Sequence, residues 1–292
     1  MPRTVYEAFE ILHGRQALTP TQTATAENRE RTIREYFNDN HDMLFQVFAI
    51  GSYERGTICA GERDIDLMAC FRGYGDDRLR PRYEDDSSQF LYWVRNDLND
   101  HYYRTGVSSK RVAVTLDFTD IVTDVTPCFW NASDEDGFLM PDGHGGWMLT
   151  NPPFHAKLVA DSDQAKANRL KPVIRLMKAW NNANGHHLSS FHLEMLVEEA
   201  QRPYQIYDPA FEVWWTMRSI AWRLKYRFPD PWAPGGYVDD YLTDDARALV
   251  IRKLNVDIER ADQARKFEAA GWNEDAFERW GVVYNGTFPA FY

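Results

Sequence analysis

Apolar and polar residues alternate with two different periods along this chain, and the change of period divides it in two. Before about residue 130, short apolar runs bounded by Gly, Pro and Asp predict strands at about Leu44–Ile50, Asp64–Phe71, Val112–Phe118 and Ile121–Phe129. From Asp163 onward, apolar residues recur at helical spacing and predict helices at about 164–184, 189–201, 208–228, 243–270 and 273–281. The first half is therefore predicted to hold a small sheet and the second half to be helical.

This change of pattern predicts two domains. Residues 1–160 are expected to form the sheet domain, with helices at 21–40 and 89–103, and residues 161–292 to form a helical lobe. The Gly- and Asp-rich stretch at 133–153 is expected to be irregular, and loops of this length are often functional. The predicted fold class is α/β, in the mixed α+β sense.

Two aspartates lie two residues apart on the second predicted strand. Because side chains alternate along a strand, Asp64 and Asp66 point to one face and Ile65 to the other. Carboxylates about 7 Å apart along a strand repel each other unless a cation lies between them. Mg²⁺ is usually held by one or two carboxylates together with substrate phosphates. The Gly51-Ser52 turn just upstream can offer N–H groups and a hydroxyl to phosphates, so the segment predicts a phosphoryl- or nucleotidyl-transfer site.

A third aspartate, Asp124, lies inside a predicted strand, where an acid is disfavoured unless it has a function. We predict that it is the third metal ligand. Asp117 and Asp120 flank the preceding turn and are predicted to be solvent-exposed turn residues. The simpler interpretation of Asp64 and Asp66 is a charged edge strand, but a buried apolar run continues from them.

Three basic residues lie on one face of a predicted helix, since Lys171, Arg175 and Lys178 recur at i, i+4 and i+7. Alone, they would indicate a solvated face. Beside three carboxylates, a lysine acting as a point charge on a triphosphate is expected. Pro172 must lie in the first turn or kink the helix. Ser190 begins the next apolar helix, either as its N-cap or as a phosphate ligand.

Composition and net charge limit the classes of partner and the cell compartment that we expect. The net charge of −11 counts against duplex DNA or large RNA, and no DNA partner is expected. No apolar run approaches the length of a membrane span, and the first residues lack the apolar core of a signal peptide. The three cysteines show no CxxC spacing and are predicted to be buried free thiols in a reducing cytoplasm: Cys59, Cys70 and Cys128.

Several of these segments together resemble one known superfamily. Gly51-Ser52, an eleven-residue gap and then Asp64-Ile65-Asp66-Leu67 resemble the signature of the polymerase-β-like nucleotidyltransferases. The segments around Ser52 and Asp124 are similar to two subgroups, the cGAS/DncV-like nucleotidyltransferases (CD-NTases) and the archaeal-type tRNA CCA-adding enzymes. Three more segments favour the CD-NTases, which are bacterial synthases of cyclic oligonucleotide signals: Leu170–Trp180, Leu188–Glu194 and Trp280–Pro289.

The resemblance implies a nucleotidyltransferase core whose mixed sheet carries the triad, and a helical lobe that completes the nucleotide pocket. It implies that Asp64, Asp66 and Asp124 hold two Mg²⁺ ions, for which Mn²⁺ can substitute. The residues expected to bind the donor triphosphate are Gly51, Ser52, Lys178 and Ser190. Arg175 is the alternative to Lys178 as the basic phosphate ligand. ATP, GTP or other ribonucleoside triphosphates would be joined into a cyclic di- or trinucleotide that activates a downstream effector in antiphage signalling.

Two alternatives stay open on the sequence. One is a nucleotidyltransferase that modifies RNA, a small molecule or a protein. The other is a degenerate nucleotide-binding protein without activity, which the intact triad argues against. The sequence discloses neither the bases, linkage and ring size of the product nor whether an activating ligand or an accessory regulatory protein is needed.

Overall fold

The computed structural model describes residues 2–62, 64–73, 79–131, 137–202, 205, 208–233 and 235–292. By their contacts, the residues form two compact units. The sheet unit comprises residues 18–55 and 62–156, and the helical unit comprises residues 1–17, 56–61 and 157–292. The assignment of two domains at 1–160 and 161–292 stays a prediction. The contacts, however, place the first 17 residues and the segment 56–61 with the C-terminal helices.

A seven-stranded mixed sheet forms the centre of the sheet unit. Its strands run in the order β1-β2-β5-β4-β3, with β6 on β5 and β7 on β6; among the described residues, only the β2–β5 pair is parallel. Their bounds are β1 Leu44–Ile50, β2 Asp64–Arg72, β3 Gly106–Ser109, β4 Val114–Asp117, β5 Val122–Trp130, β6 Phe138–Pro141 and β7 Trp147–Thr150. The four predicted strands are therefore present, and the mixed sheet that we predicted is confirmed.

The two faces of this sheet have different surroundings. One face forms the larger core with α2 (Pro20–Asn40) and α4 (Ser87–His101), to which β2 contributes Leu67, Ala69 and Phe71. The other face carries a smaller apolar cluster that includes Met68, Cys70, Cys128 and Phe138. Because side chains alternate along strands, Asp66 lies on the same face as Met68 and Cys70. The aspartates are thus on the face away from the main core.

The helical unit is built from α1 (Val5–Gln16) and from helices of the second half of the chain. These are α5 (Pro152–Ala165, from residue 157), α6 (Leu170–Ala183), α7 (Ser190–Gln201), α8 (Pro209–Arg223), α9 (Asp244–Ala269) and α10 (Asn273–Val283). Its core joins distant parts of the chain, since the rings of Phe9 and Trp280 lie 4.9 Å apart, edge to face. Within the described residues, no helix is long and apolar enough to cross a membrane.

Two local predictions were wrong, and two elements were missed. The helix predicted over 164–184 is interrupted, because Ala167 and Asn168 take positive φ values of 52° and 61°, which end α5 before α6 begins. The stretch predicted to be irregular, 133–153, contains the β6–β7 hairpin and the start of α5; its residues up to 136 lie outside the described part of the chain. Helix α1 and strand β3 were not predicted.

Candidate active site

The three predicted acids lie on two neighbouring parallel strands. Asp64 begins β2, Asp66 follows two residues later, and Asp124 is the Cα partner of Asp66 on β5. Asp64 is exposed, Asp66 is partly buried and Asp124 is buried. The structure therefore brings Asp66 and Asp124 side by side, as the sequence predicted.

This grouping of acids changes the protonation of its central member. Burial, together with the negative charges of Asp64 and Asp124, raises the pKa of Asp66 to about 7. The positive charges of Arg55 and Lys110 act in the opposite direction. A carboxyl group in this setting is stabilised in its ionised form by an added cation.

Asp124 is held by two side chains that the sequence did not point to. The hydroxyl of Thr115 donates to Oδ1 of Asp124 at 2.5 Å. Lys110 Nζ donates to Oδ2 at 2.8 Å and also lies 3.2 Å from Oδ1. Thr115 is the Cα partner of Asp124 across the β4–β5 pair, so the hydroxyl and the carboxylate share one face. No local sequence pattern marks Lys110, because it lies in the turn after β3.

The donor set fits a hard divalent cation, because it supplies several carboxylate oxygens from adjacent strands. In this conformation, however, no three acidic, histidine or cysteine side chains among the described residues are grouped closely enough to hold one ion. The oxygens of Asp124 also already accept hydrogen bonds from Lys110 and Thr115. Binding of a metal ion would therefore require local rearrangement of these side chains.

The turn before the triad is in direct contact with it. Gly51 has a φ of +69° and begins the short helix α3 (Gly51–Glu54), directly after β1. A β-carbon at this position would lie 2.1 Å from Oδ2 of Asp66, so only glycine fits without a shift. Ser52 Oγ donates to Oε2 of Glu62 at 3.2 Å. The role of Gly51 and Ser52 in binding phosphate stays a prediction.

The basic face of α6 makes several contacts inside the helical unit. Arg175 donates from Nη2 to the carbonyl oxygen of Gly56 at 2.7 Å and lies 3.0 Å from Nε2 of His13. Burial lowers the pKa of Arg175. Lys178 Nζ lies 3.0 Å from Oε1 of Glu194, and both side chains are almost fully buried. These contacts give Arg175 and Lys178 structural partners, and their roles as phosphate ligands stay predictions.

The N-cap of α7 lies one residue before Ser190, which the sequence had offered as the cap. Ser189 is the N-cap: its hydroxyl accepts from the backbone N–H of His192 at 3.4 Å. The backbone N–H of Ser189 in turn donates to the hydroxyl of Tyr241 at 2.8 Å. Ser190 is the first residue of the helix, so the interpretation of Ser190 as the N-cap was wrong. Its role as a phosphate ligand stays a prediction.

The three cysteines are all buried and free, as predicted: Cys59, Cys70 and Cys128. Cys70 and Cys128 are Cα partners on β2 and β5, four residues beyond Asp66 and Asp124. Burial raises the pKa of Cys128, so its thiol stays protonated. Cys70 and Cys128 are therefore part of the small apolar cluster on the face of the sheet that carries Asp66 and Asp124.

Residues 4–162 match the Second Messenger Oligonucleotide or Dinucleotide Synthetase (SMODS) domain. The chain belongs to this family. The SMODS chain is 26% identical over 290 residues to the cyclic AMP-AMP-AMP synthase of Acinetobacter sp. (strain ATCC 27244 / 9458), covering 93% of this chain and 80% of the relative. It is 24% identical over 276 residues to a probable cyclic nucleotide synthase of Bacillus cereus (strain VD146), covering 84% and 82%.

Solved structures agree with the fold of this SMODS protein. CdnC of E. coli MS115-1, in its complex with HORMA-deltaN, superposes with a TM-score of 0.80 at 15% identity, covering 98% of both chains. The GTP-bound form of Vibrio cholerae DncV gives a TM-score of 0.76 at 13% identity, covering 98% of this chain and 96% of that one. The predicted family, fold class and enzyme class are confirmed: the chain is a nucleotidyltransferase of the CD-NTase type. Enzymes of this family generally use divalent metal ions.

Proposed function

We propose that this enzyme joins ribonucleoside triphosphates into a cyclic di- or trinucleotide and releases one pyrophosphate for each bond. The observation that carries the proposal is the placement of Asp66 and Asp124 side by side on β2 and β5, with Gly51 against Asp66, in a chain of the SMODS family. The Acinetobacter relative is named as a cyclic AMP-AMP-AMP synthase. ATP is therefore the first substrate to test, followed by GTP.

In the proposed reaction, the three aspartates would hold two Mg²⁺ ions, and these would supply acidification of the attacking ribose hydroxyl and charge neutralisation of the leaving pyrophosphate. The ribose oxygen forms a bond to the α-phosphorus while the bond to the pyrophosphate oxygen breaks. The hydroxyl proton passes to a carboxylate, for which Asp124 is our assignment. The Thr115 hydroxyl fixes the orientation of that carboxylate through its 2.5 Å hydrogen bond. Mn²⁺ is expected to substitute for Mg²⁺.

We assign the triphosphate to Ser52, Lys178 and Ser190. Lys178 carries the positive charge needed to bind phosphate, and Glu194 holds its ammonium in place until then. Ser190 offers its hydroxyl and backbone N–H in the first turn of α7, where the helix dipole favours an anion. Arg175 is already bonded to Gly56 and His13, so we assign it to supporting this region.

The biological part of the proposal follows from the resemblance to the CD-NTase family. A cyclic nucleotide made in the cytoplasm would activate a downstream effector protein during phage infection. The structure of CdnC was solved with HORMA-deltaN, which supports an accessory regulatory protein for this chain as well.

A product analysis tests the proposal. Purified protein is incubated with four labelled ribonucleoside triphosphates and Mg²⁺ or Mn²⁺, treated with phosphatase and analysed by mass spectrometry. We expect a phosphatase-resistant product from the wild type and none from the Asp64→Asn/Asp66→Asn double variant. A linear product from which phosphatase removes terminal phosphates, or labelled RNA after addition of tRNA, would support the RNA-directed alternative instead.

A further inference from the structure

Lys110 is a cation that is hydrogen-bonded directly to Asp124 of the triad. Its ammonium group bonds one oxygen of Asp124 at 2.8 Å and lies 3.2 Å from the other. The two side chains differ in exposure, because that of Lys110 is 56% exposed and that of Asp124 only 13%. The charged end of a solvent-exposed lysine thus reaches a largely buried carboxylate.

The backbone beneath Lys110 is anchored. The N–H of Lys110 donates to the carbonyl oxygen of Ala113 at 2.8 Å, which closes the turn between β3 and β4. The next residue, Arg111, lies 2.8 Å from Nε2 of His144 through its Nη2 atom. A β-carbon at Gly143 would lie 2.9 Å from Cβ of Arg111, so the neighbouring loop packs closely on this turn. The position of the Lys110 backbone is therefore fixed, and its exposed side chain is the part that can move.

A divalent ion and the Lys110 ammonium compete for the same two oxygens. A carboxylate that already accepts from an ammonium and from the Thr115 hydroxyl has few lone pairs left for a metal ion. The positive charge of Lys110 also repels a second cation at short range. We propose that Lys110 is an internal counter-ion that occupies Asp124 until a divalent metal ion displaces it, so that Lys110 sets how tightly the site binds metal.

This inference rests on the proposed function, because it requires Asp124 to be a metal ligand. A purely structural role for Lys110 predicts something different. If Lys110 only supported the fold, its removal would change the unfolding free energy and would not affect metal affinity. The two roles are therefore separated by a direct measurement of metal binding without nucleotide.

The test is a titration of the full-length protein with Mn²⁺ alone, followed by electron paramagnetic resonance of the free ion. Lys110→Met should bind Mn²⁺ about three- to tenfold more tightly than the wild type, because it removes both the competition and the repulsion. Lys110→Arg keeps the charge and should stay within about twofold of the wild type. The matched control is Lys157→Met, which removes another exposed lysine paired with an aspartate, Asp161, at 2.6 Å in the helical unit.

Repeating the substitution in a protein that already lacks the Asp124 carboxylate makes the test specific. In an Asp124→Asn protein, adding Lys110→Met should change Mn²⁺ affinity much less, because the shared carboxylate is gone and only the charge repulsion remains. If Lys110→Met leaves the affinity of the otherwise wild-type protein unchanged, or weakens it, the inference about Lys110 is overturned while the triad remains a metal site. If Asp124→Asn itself binds Mn²⁺ as well as the wild type, Asp124 is not a ligand, and both the inference and the proposed metal chemistry fail.

Discussion

The backbone of Gly51 lies against the carboxylate of Asp66, so that a β-carbon on Gly51 would be 2.1 Å from Oδ2. Asp66 is the Cα partner of Ile50 at the end of the β1–β2 pair, and Gly51 directly follows Ile50 in the chain. Gly51 also has a φ of +69°, which disfavours any side chain there. The Gly-Ser turn and the triad are thus one structural unit, and the turn cannot change without moving a predicted metal ligand.

Gly51→Ala should therefore reduce nucleotidyl transfer strongly, by about a hundredfold or more, because a displacement of about 1 Å at the site has effects of that size. The protein should remain folded, with a loss of about 1–2 kcal/mol in unfolding free energy from the left-handed backbone. Activity and thermal unfolding would be measured together. Gly14→Ala is the control, since nothing lies within 4 Å of a β-carbon there. A Gly51→Ala enzyme with wild-type activity would contradict this arrangement.

Asp66→Asn should inactivate the enzyme and yet stabilise it. The pKa of Asp66 is raised to about 7, so the folded state holds this proton more tightly than the unfolded chain. Unfolding free energy is then lost as pH rises from about 4 to about 7, and the loss is complete above that range. In EDTA at about pH 8, Asp66→Asn should be more stable by about 1–3 kcal/mol.

Chemical denaturation in EDTA measures this difference. Asp120→Asn is a suitable control, because Asp120 is an exposed acid paired with Arg29 at 2.9 Å, at a turn of the same unit. It should keep activity and gain no stability. A destabilised Asp66→Asn protein would show that the carboxylate is structurally favourable in the metal-free state, against our interpretation.

Two adjacent serines at the start of α7 should have separate effects. Ser189→Ala removes the N-cap and should cost about 1 kcal/mol of unfolding free energy. Ser190→Ala should leave stability unchanged and raise the KM for ATP, because we assign Ser190 to the triphosphate. Steady-state kinetics and thermal unfolding of both variants check this. Equal KM values for Ser190→Ala and the wild type would remove Ser190 from the binding site.

The buried pair of Lys178 and Glu194 allows a structural role to be separated from a binding role. Lys178→Met leaves Glu194 buried without this partner and should cost about 3–5 kcal/mol. Adding Glu194→Gln should restore most of that stability. The KM for ATP should stay raised in the double variant, by about tenfold or more, since a charged hydrogen bond to phosphate is lost. Recovery of the wild-type KM in the double variant would show that Lys178 is structural only.

His192 should make stability fall in mild acid. Burial lowers its pKa to about 4, so the unfolded chain binds a proton more readily than the folded protein. The contribution of His192 to unfolding free energy is present above about pH 7 and is lost as pH falls toward 4, by up to about 2 kcal/mol at about pH 5. Urea denaturation at about pH 7 and pH 5 would compare the wild type with His192→Gln. Equal losses in the two proteins would contradict the assignment.

The sequence was sufficient where a feature depends on local spacing. Asp64 and Asp66 share a face because strand side chains alternate, and Gly51 was marked by its position before them. Pro172 was expected in the first turn of its helix or at a kink, and it is the third residue of α6, in the first turn. The apolar runs also identified β1 with its observed bounds. These features need only neighbouring residues to be recognised.

Features that depend on tertiary contact were missed. Lys110 and Glu194 become significant only when the chain brings them to Asp124 and Lys178. Helix α1 was not predicted, and its Phe9 finds its partner Trp280 at the opposite end of the sequence. The β6–β7 hairpin lies in a Gly- and Asp-rich stretch whose composition suggests a loop, although pairing with β5 makes it a strand pair.

The central claim is that the enzyme closes a ring, and the ratio of pyrophosphate released to nucleotide incorporated tests it most directly. Ring closure consumes the last triphosphate, so we predict one pyrophosphate for each nucleotide in the purified product, with no terminal phosphate remaining. A linear product retains one triphosphate and must give fewer pyrophosphates than nucleotides. A ratio below one, with a 5′-triphosphate still on the product, would contradict the account.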